Sequence, residues 1–268
     1  MRNSLIFLHI PKNGGTTFHS ILNRLYPRES TFTLTTVNKT RTNYKEFIKI
    51  QKEEEKRIKL LKGHAPFGMH RFMDPGTKYI TFLRRPEERV ISFYYYVLRK
   101  PNNKLFPTIK HGNLSLYDFV TQVNSTEVNN CQVQWISGIY DREDLMLEKA
   151  LENIDNHFAF VGITEKFDES LVMLRKQLSW PIPYYTVKNK TSKRPMLETI
   201  DDKTLEAIRN YNQLDIQLYD IMYQRFNEQI EAEKPLSKEL MELRLYNRIY
   251  SIPIGRKIAG SIKRSLKL

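Results

Sequence analysis

The chain has 268 residues, 40% hydrophobic and 27% charged, a globular balance that excludes wholesale disorder. Its one cysteine, Cys131, excludes an internal disulfide framework and any cysteine-cluster metal site. Forty-three basic against 30 acidic residues give +13, which favours an anionic partner: a nucleotide, an acidic polysaccharide, a nucleic acid or a lipid surface.

The elements alternate along the chain. Ser4 to Ile10 is a short apolar run bounded by Pro11 and Gly14-Gly15, which predicts a buried strand. Phe18, Ile21, Leu22 and Leu25 have helical spacing, with Thr16 as the expected N-cap. A polar stretch and a charged helix around Tyr44 to Arg57 follow, then a second strand from Ile58 to Leu61 and a third from Tyr79 to Leu83. Pro86 suits a first helical turn, so 87–98 reads as helix. Residues 103–155 read as mostly helical and packed to one side, Phe158 to Ile163 as a fourth strand, 166–178 as helix, and 201–232 as one long helix or two. Strand–helix alternation predicts an α/β fold: a central, mainly parallel sheet flanked by helices.

Residues 1–235 are expected to form the main domain and 236–268 a basic amphipathic helical tail. The last 25 residues hold seven basic side chains and no acidic one. Such a tail either binds a membrane surface or polyanion, or packs its apolar side on the domain. No run of 18 apolar residues occurs, and the first ten residues are short for a signal peptide, so a cytoplasmic protein with a peripheral contact to the inner membrane surface is expected.

Two turns carry chemistry. In Pro11-Lys12-Asn13-Gly14-Gly15-Thr16-Thr17, a strand delivers a glycine turn to a helix start, where N–H groups and the helix dipole favour an anion. A Walker A loop places its lysine after the glycines; here Lys12 precedes them, which disfavours a nucleotide kinase. Farther on, a strand ends at Arg84, proline opens a helix, and Ser92 follows eight residues after Arg84, about two turns into that helix. The alternative is an ordinary basic helix start with Glu88 and Arg89 solvated.

Together these turns resemble the sulfotransferases that use 3′-phosphoadenosine 5′-phosphosulfate (PAPS). Pro-Lys-x-Gly-Gly-Thr-Thr is similar to their 5′-phosphosulfate loop, and Leu-Arg-x-Pro-x-x-Arg-x-x-Ser to their 3′-phosphate motif. The likeness is greatest to carbohydrate sulfotransferases of the heparan and uronyl 2-O type and their bacterial relatives. Asn130 to Gly138, Val161 to Leu171 and Asn189 to Pro195 resemble further segments of that branch, in the same order. Arg85 stands where an acidic residue or Asn is common, and Gln134 where Arg is common.

The resemblance implies a P-loop-like three-layer fold and sulfuryl transfer from PAPS to a hydroxyl, most plainly of a saccharide, without a metal. It implies that Pro11, Lys12, Asn13, Gly14, Gly15, Thr16 and Thr17 hold the 5′-phosphate, with Lys12 clamping the leaving oxygen. Arg84 and Ser92 are expected on the 3′-phosphate, with Ser192, Lys193 and Arg194 closing over the cofactor. His64, in a Gly-His pair after a strand, is the expected base, since an imidazole near its ordinary pKa of about 6.5 takes a proton at neutral pH. His70, Arg71 and Gln132 are candidate acceptor contacts, and Lys62 a further basic group for an acidic acceptor. His9, His19, His111 and His157 are read as structural or surface residues, a catalytic role being left open for His9. No nucleic acid is expected as partner. The competing readings are a P-loop-class kinase and a basic polyanion- or membrane-binding protein.

Overall fold

A parallel strand with neighbours on both edges and helices over both faces has no solvent contact, and β1 (Leu5–Leu8) is buried throughout. The computed structural model describes residues 4–37, 40–41, 43–52, 58–64, 67–186 and 196–252. After β1 come α1 (Gly15–Leu25), β2 (Thr31–Leu34), a two-residue pairing of β3 (Thr36–Val37) with β4 (Thr40–Arg41), α2 (Tyr44–Lys52) and β5 (Leu60–Gly63). Then follow β6 (Lys78–Leu83), α3 (Pro86–Leu98), α4 (Phe106–His111), α5 (Leu116–Gln122), α6 (Cys131–Ser137), α7 (Glu143–His157) and β7 (Phe158–Ile163). Four helices close the described chain: α8 (Phe167–Leu178), α9 (Asp202–Asn210), α10 (Gln213–Ala232) and α11 (Ser237–Ser251).

The main sheet is parallel in the order β2-β5-β1-β6-β7. The expected α/β class is therefore what forms, with one strand more than the sequence suggested. That strand, β2, is an edge strand reading Thr-Phe-Thr-Leu with only Leu34 buried, so it gave no continuous apolar run. The second predicted strand forms two residues later than expected, and 201–232 breaks into two helices around Asn212.

The chain leaves β1 for β2 and β5 on one side and then crosses to β6 and β7 on the other. Open parallel sheets bind ligands at such a reversal, outside the carboxyl ends of the strands. The turns that follow β1 and β6 lie at that reversal. Backbone pairing of β1 with β6 stops at Phe7–Ile80, and side chains take over: the Thr81 hydroxyl donates to the Leu8 carbonyl at 2.8 Å.

The sheet core runs through Ile6, Leu8, Phe18, Phe82 and Leu174. A second apolar cluster, including Phe93, Val97, Phe119 and Ile208, sits between α3 and the helices α4, α5 and α9. Between the two lies a reciprocal cap. The Asp215 carboxylate accepts the first-turn N–H groups of α6, Gln132 at 3.1 Å and Val133 at 2.8 Å. Asn130 Oδ1 in turn accepts those of α10, Leu214 at 3.1 Å and Asp215 at 3.2 Å. Each helix start thus satisfies the orphan donors of the other.

Arg89, which the sequence left as a candidate for solvent, is fully buried instead. Its guanidinium donates to the Glu127 and Val128 carbonyls at 2.9 Å, with Nε 3.9 Å from Asp215. Asp215→Ala orphans two amides and leaves that buried cation uncompensated. It should lower unfolding free energy by about 3–5 kcal/mol in urea titration, and a loss under about 1 kcal/mol would refute this account of the cap.

Candidate active site

Gly14 adopts φ 76 and forms the N-cap of α1, so the helix begins at Gly15 and Thr16 is an exposed first-turn residue rather than the cap. Lys12 also has positive φ, 74. The turn thereby aims the first N–H groups of α1 back over the strand end. No acidic side chain stands in that first helical turn. Pro11 opens the turn half-buried, and Thr17 is buried beneath it.

The second turn, after β6, is fastened to the first. Asn13 is buried and its Nδ2 donates to the Phe82 carbonyl at 2.7 Å and to Gln132 Oε1 at 2.8 Å. Gln132 Oε1 also accepts the Arg84 N–H at 2.9 Å, and its Nε2 donates to the Arg84 carbonyl at 2.8 Å. The Arg84 guanidinium donates to the Lys12 carbonyl at 3.1 Å and to Glu88 at 2.7 Å. Gln132 was a candidate acceptor contact; with no exposed surface it instead joins the two turns.

On α3, Glu88, Ser92 and Tyr96 are four residues apart and share one side of the helix. That side faces the turns, because Glu88 pairs with Arg84 and the Lys12 ammonium lies 4.3 Å from the Tyr96 ring centre. Ser92 sits between those two contacts. Sequence reasoning named Arg84 and Ser92 but missed Glu88 and Tyr96, whose signal was their four-residue spacing from those two.

His64 follows β5 at the same sheet edge. Its Nδ1 donates to the His9 carbonyl at 2.9 Å, which in the neutral ring leaves Nε2 as the lone-pair nitrogen. The His9 ring stacks on His64 with centres 4.6 Å apart, and its Nδ1 is 3.2 Å from His19 Nε2. Trp135 flanks His64 edge-on, at 5.7 Å. Burial, His64, His19 and Lys12 hold the His9 pKa well below the usual imidazole range. Burial, helped by Lys62 and His64, lowers His19 to about 4. Both rings are neutral at pH 7.

Other sequence candidates lie elsewhere. His70 Nδ1 is 3.0 Å from the Tyr79 hydroxyl, and its ring stacks on His157 at 4.5 Å. Tyr79 is the second residue of β6, so His70 and the neighbouring exposed Arg71 sit about 13 Å down the sheet from the strand-end turns. They do not join this edge. Lys62 is buried with its ammonium on Asn23 Oδ1, so it lines no cleft. Ser192, Lys193 and Arg194 lie outside the described residues. Among the described residues no group of three or more metal-ligating side chains occurs. Burial pushes the Cys131 thiol up to about 12, which leaves it unreactive at neutral pH.

At the switch point of a parallel sheet, a lysine-bearing glycine turn, an arginine-ended strand and a histidine together make a candidate site for an anionic ligand. The sequence model of the galactose-3-O-sulfotransferase family matches residues 1–259, and the chain belongs to that family. The motifs had suggested the 2-O-type branch; the match lies with the galactose-3-O type. Galactose-3-O-sulfotransferase 3 of Bos taurus is 29% identical over 168 residues, 57% of this chain and 38% of that protein. Galactose-3-O-sulfotransferase 2 of Mus musculus is 25% identical over 219 residues, 76% and 55% of the two chains. The aligned part thus spans between about two fifths and just over half of these curated relatives. A solved sulfotransferase from Alicyclobacillus acidocaldarius superposes with a TM-score of 0.46 and 11% identity, covering 83% of this chain and 96% of that one.

Two outcomes follow from the histidine stack. A Cβ at Gly15 would lie 1.9 Å from His9 Nε2, so the ring would have to shift. Gly15→Ala should displace His9 and lower thermal stability by several degrees, a shift absent from Gly15→Ala combined with His9→Ala. The pKa depressions set a pH window: unfolded histidine takes a proton near pH 6.5, whereas folded His9 and His19 resist it. Stability they contribute is intact above pH 6.5 and is lost as pH falls toward 4. Urea midpoints at pH 7.5 and 5 should differ more for the unaltered protein than for His19→Gln; equal differences would show that the pair does not set the slope.

Proposed function

We propose that the chain transfers a sulfuryl group from PAPS to a hydroxyl of a galactose-bearing glycan. The observation that carries this is the fixed pairing of two anion-binding turns through Gln132, with the His64 tautomer held beside them. The donor set fits a nucleotide with two separated phosphate ends. The α1 amino terminus, Lys12, Thr16 and Thr17 suit the 5′ end, and Arg84 with Ser92 the 3′-phosphate.

PAPS supplies the sulfuryl group; this chain's residues supply charge, orientation and a base. The Lys12 ammonium, held over the Tyr96 ring, would offset negative charge on a 5′-phosphate bound at the turn. His64 Nε2 takes the acceptor proton as the new sulfur–oxygen bond forms, and the His9 carbonyl holds Nδ1–H throughout. Glu88 holds the Arg84 guanidinium in place.

A galactose hydroxyl fits better than a uronate. Of the basic groups suggested for an acidic acceptor, Lys62 is buried and Arg71 lies down the sheet, while Lys193 and Arg194 lie outside the described residues. The family's description names galactose.

Calorimetric titration with 3′-phosphoadenosine 5′-phosphate, beside ATP, tests the donor, and sulfuryl transfer to galactosides tests the reaction. Lys12→Ala and Arg84→Ala should each weaken binding about tenfold or more, with ATP weaker throughout. His64→Ala should keep product binding while turnover falls by a factor of about 10²–10⁴. ATP binding as tightly as the adenosine bisphosphate would overturn the donor reading in favour of a kinase.

A further inference from the structure

Helix α11 has two apolar sides. One packs on the domain: Leu243 is buried, Leu240 lies against the core, and Asn247 Oδ1 accepts the Tyr185 N–H at 2.6 Å. The other points to solvent. Met241, Leu245, Ile249 and Ile252 are 71%, 54%, 42% and 50% exposed, and their spacing returns them to one side at about 3.6 residues per turn. Since one apolar stripe suffices to dock a helix, the second stripe is unaccounted for by the fold.

The charge around the stripe is mainly basic. Lys238 and Arg248, both exposed, lie three residues before Met241 and three after Leu245, on the same side. The one acidic side chain bordering it, Glu242, is half-buried and neutralised by Arg175 of α8 at 2.6 Å. Beyond α11 the sequence adds Arg256, Lys257, Lys263, Arg264 and Lys267, with no acidic residue.

We propose that this outward face of α11 docks on an anionic lipid surface, lying along it with the stripe in the interface and the basic side chains at the headgroups. The charge selects this occupant over a second copy of the chain. A two-fold contact lays the same patch on itself, basic rim against basic rim, whereas an anionic headgroup layer meets that rim with opposite charge. Among the described residues no helix is long and apolar enough to cross a membrane, so the contact is along the surface. The inference is independent of the donor and acceptor of the reaction.

The test is sedimentation of the full chain with vesicles of phosphatidylcholine alone or in equimolar mixture with phosphatidylglycerol, alongside L245D/I249D and K238E/R248E. Both pairs are exposed, and melting curves of the variants check that the fold is kept. The unaltered chain should partition onto the anionic vesicles about tenfold or more over the neutral ones, and each variant should lose most of that advantage. No preference for the anionic vesicles, or full binding by L245D/I249D, would overturn the proposal. A dimer in analytical ultracentrifugation that L245D/I249D converts to monomer would assign the face to a second copy instead.

Discussion

The site depends on one buried carboxamide. Gln132 accepts from Asn13 and from the Arg84 amide and donates to the Arg84 carbonyl, so the turns after β1 and β6 are set against each other by a single side chain. Neutral hydrogen bonds of this kind contribute modestly when made, but leaving buried partners unsatisfied costs about 1–3 kcal/mol each. That asymmetry makes the geometry stiff. Gln132 is itself fixed from behind, through the Asp215 carboxylate that accepts its backbone N–H and through the reciprocal cap joining α6 to α10. A residue far along the chain thus determines how two strand-end turns face one another.

The histidine stack solves a different problem. A base beside a lysine is useful only if it is unprotonated and correctly turned. His64 is turned by the His9 carbonyl, and its neighbours are rings that burial keeps neutral rather than further cations. Positive charge is thereby concentrated on Lys12 and Arg84, where two anionic groups would lie, and kept off the imidazole column beside them.

Much of this was legible in the residues, for physical reasons that can be named. Buried parallel strands must be apolar along their whole length, so β1, β6 and β7 stood out. The glycine turn announced itself because φ near 76 at Gly14 leaves few other choices. Edge strand β2 did not, since half of it faces water. Gln132 was noticed for the wrong reason: a carboxamide reads the same whether it will meet a ligand or a backbone, and only burial decides. His70 misled similarly, because it is only six residues from His64 along the chain yet sits against Tyr79, near the start of β6. Arg89 shows the reverse case, a charge that pattern assigns to solvent and that three carbonyl and carboxylate oxygens hold inside.

The missing side chain at position 15 has a consequence beyond packing. His9 fills the space a Cβ would need, so glycine is required there less by the helix start than by the ring above it. Two positions six residues apart are therefore sterically coupled. A lineage that trades His9 for a small residue releases position 15 to vary, while one that keeps the imidazole must keep the glycine. The glycine turn and the histidine column thus share one steric constraint, although neither residue is bonded to the other.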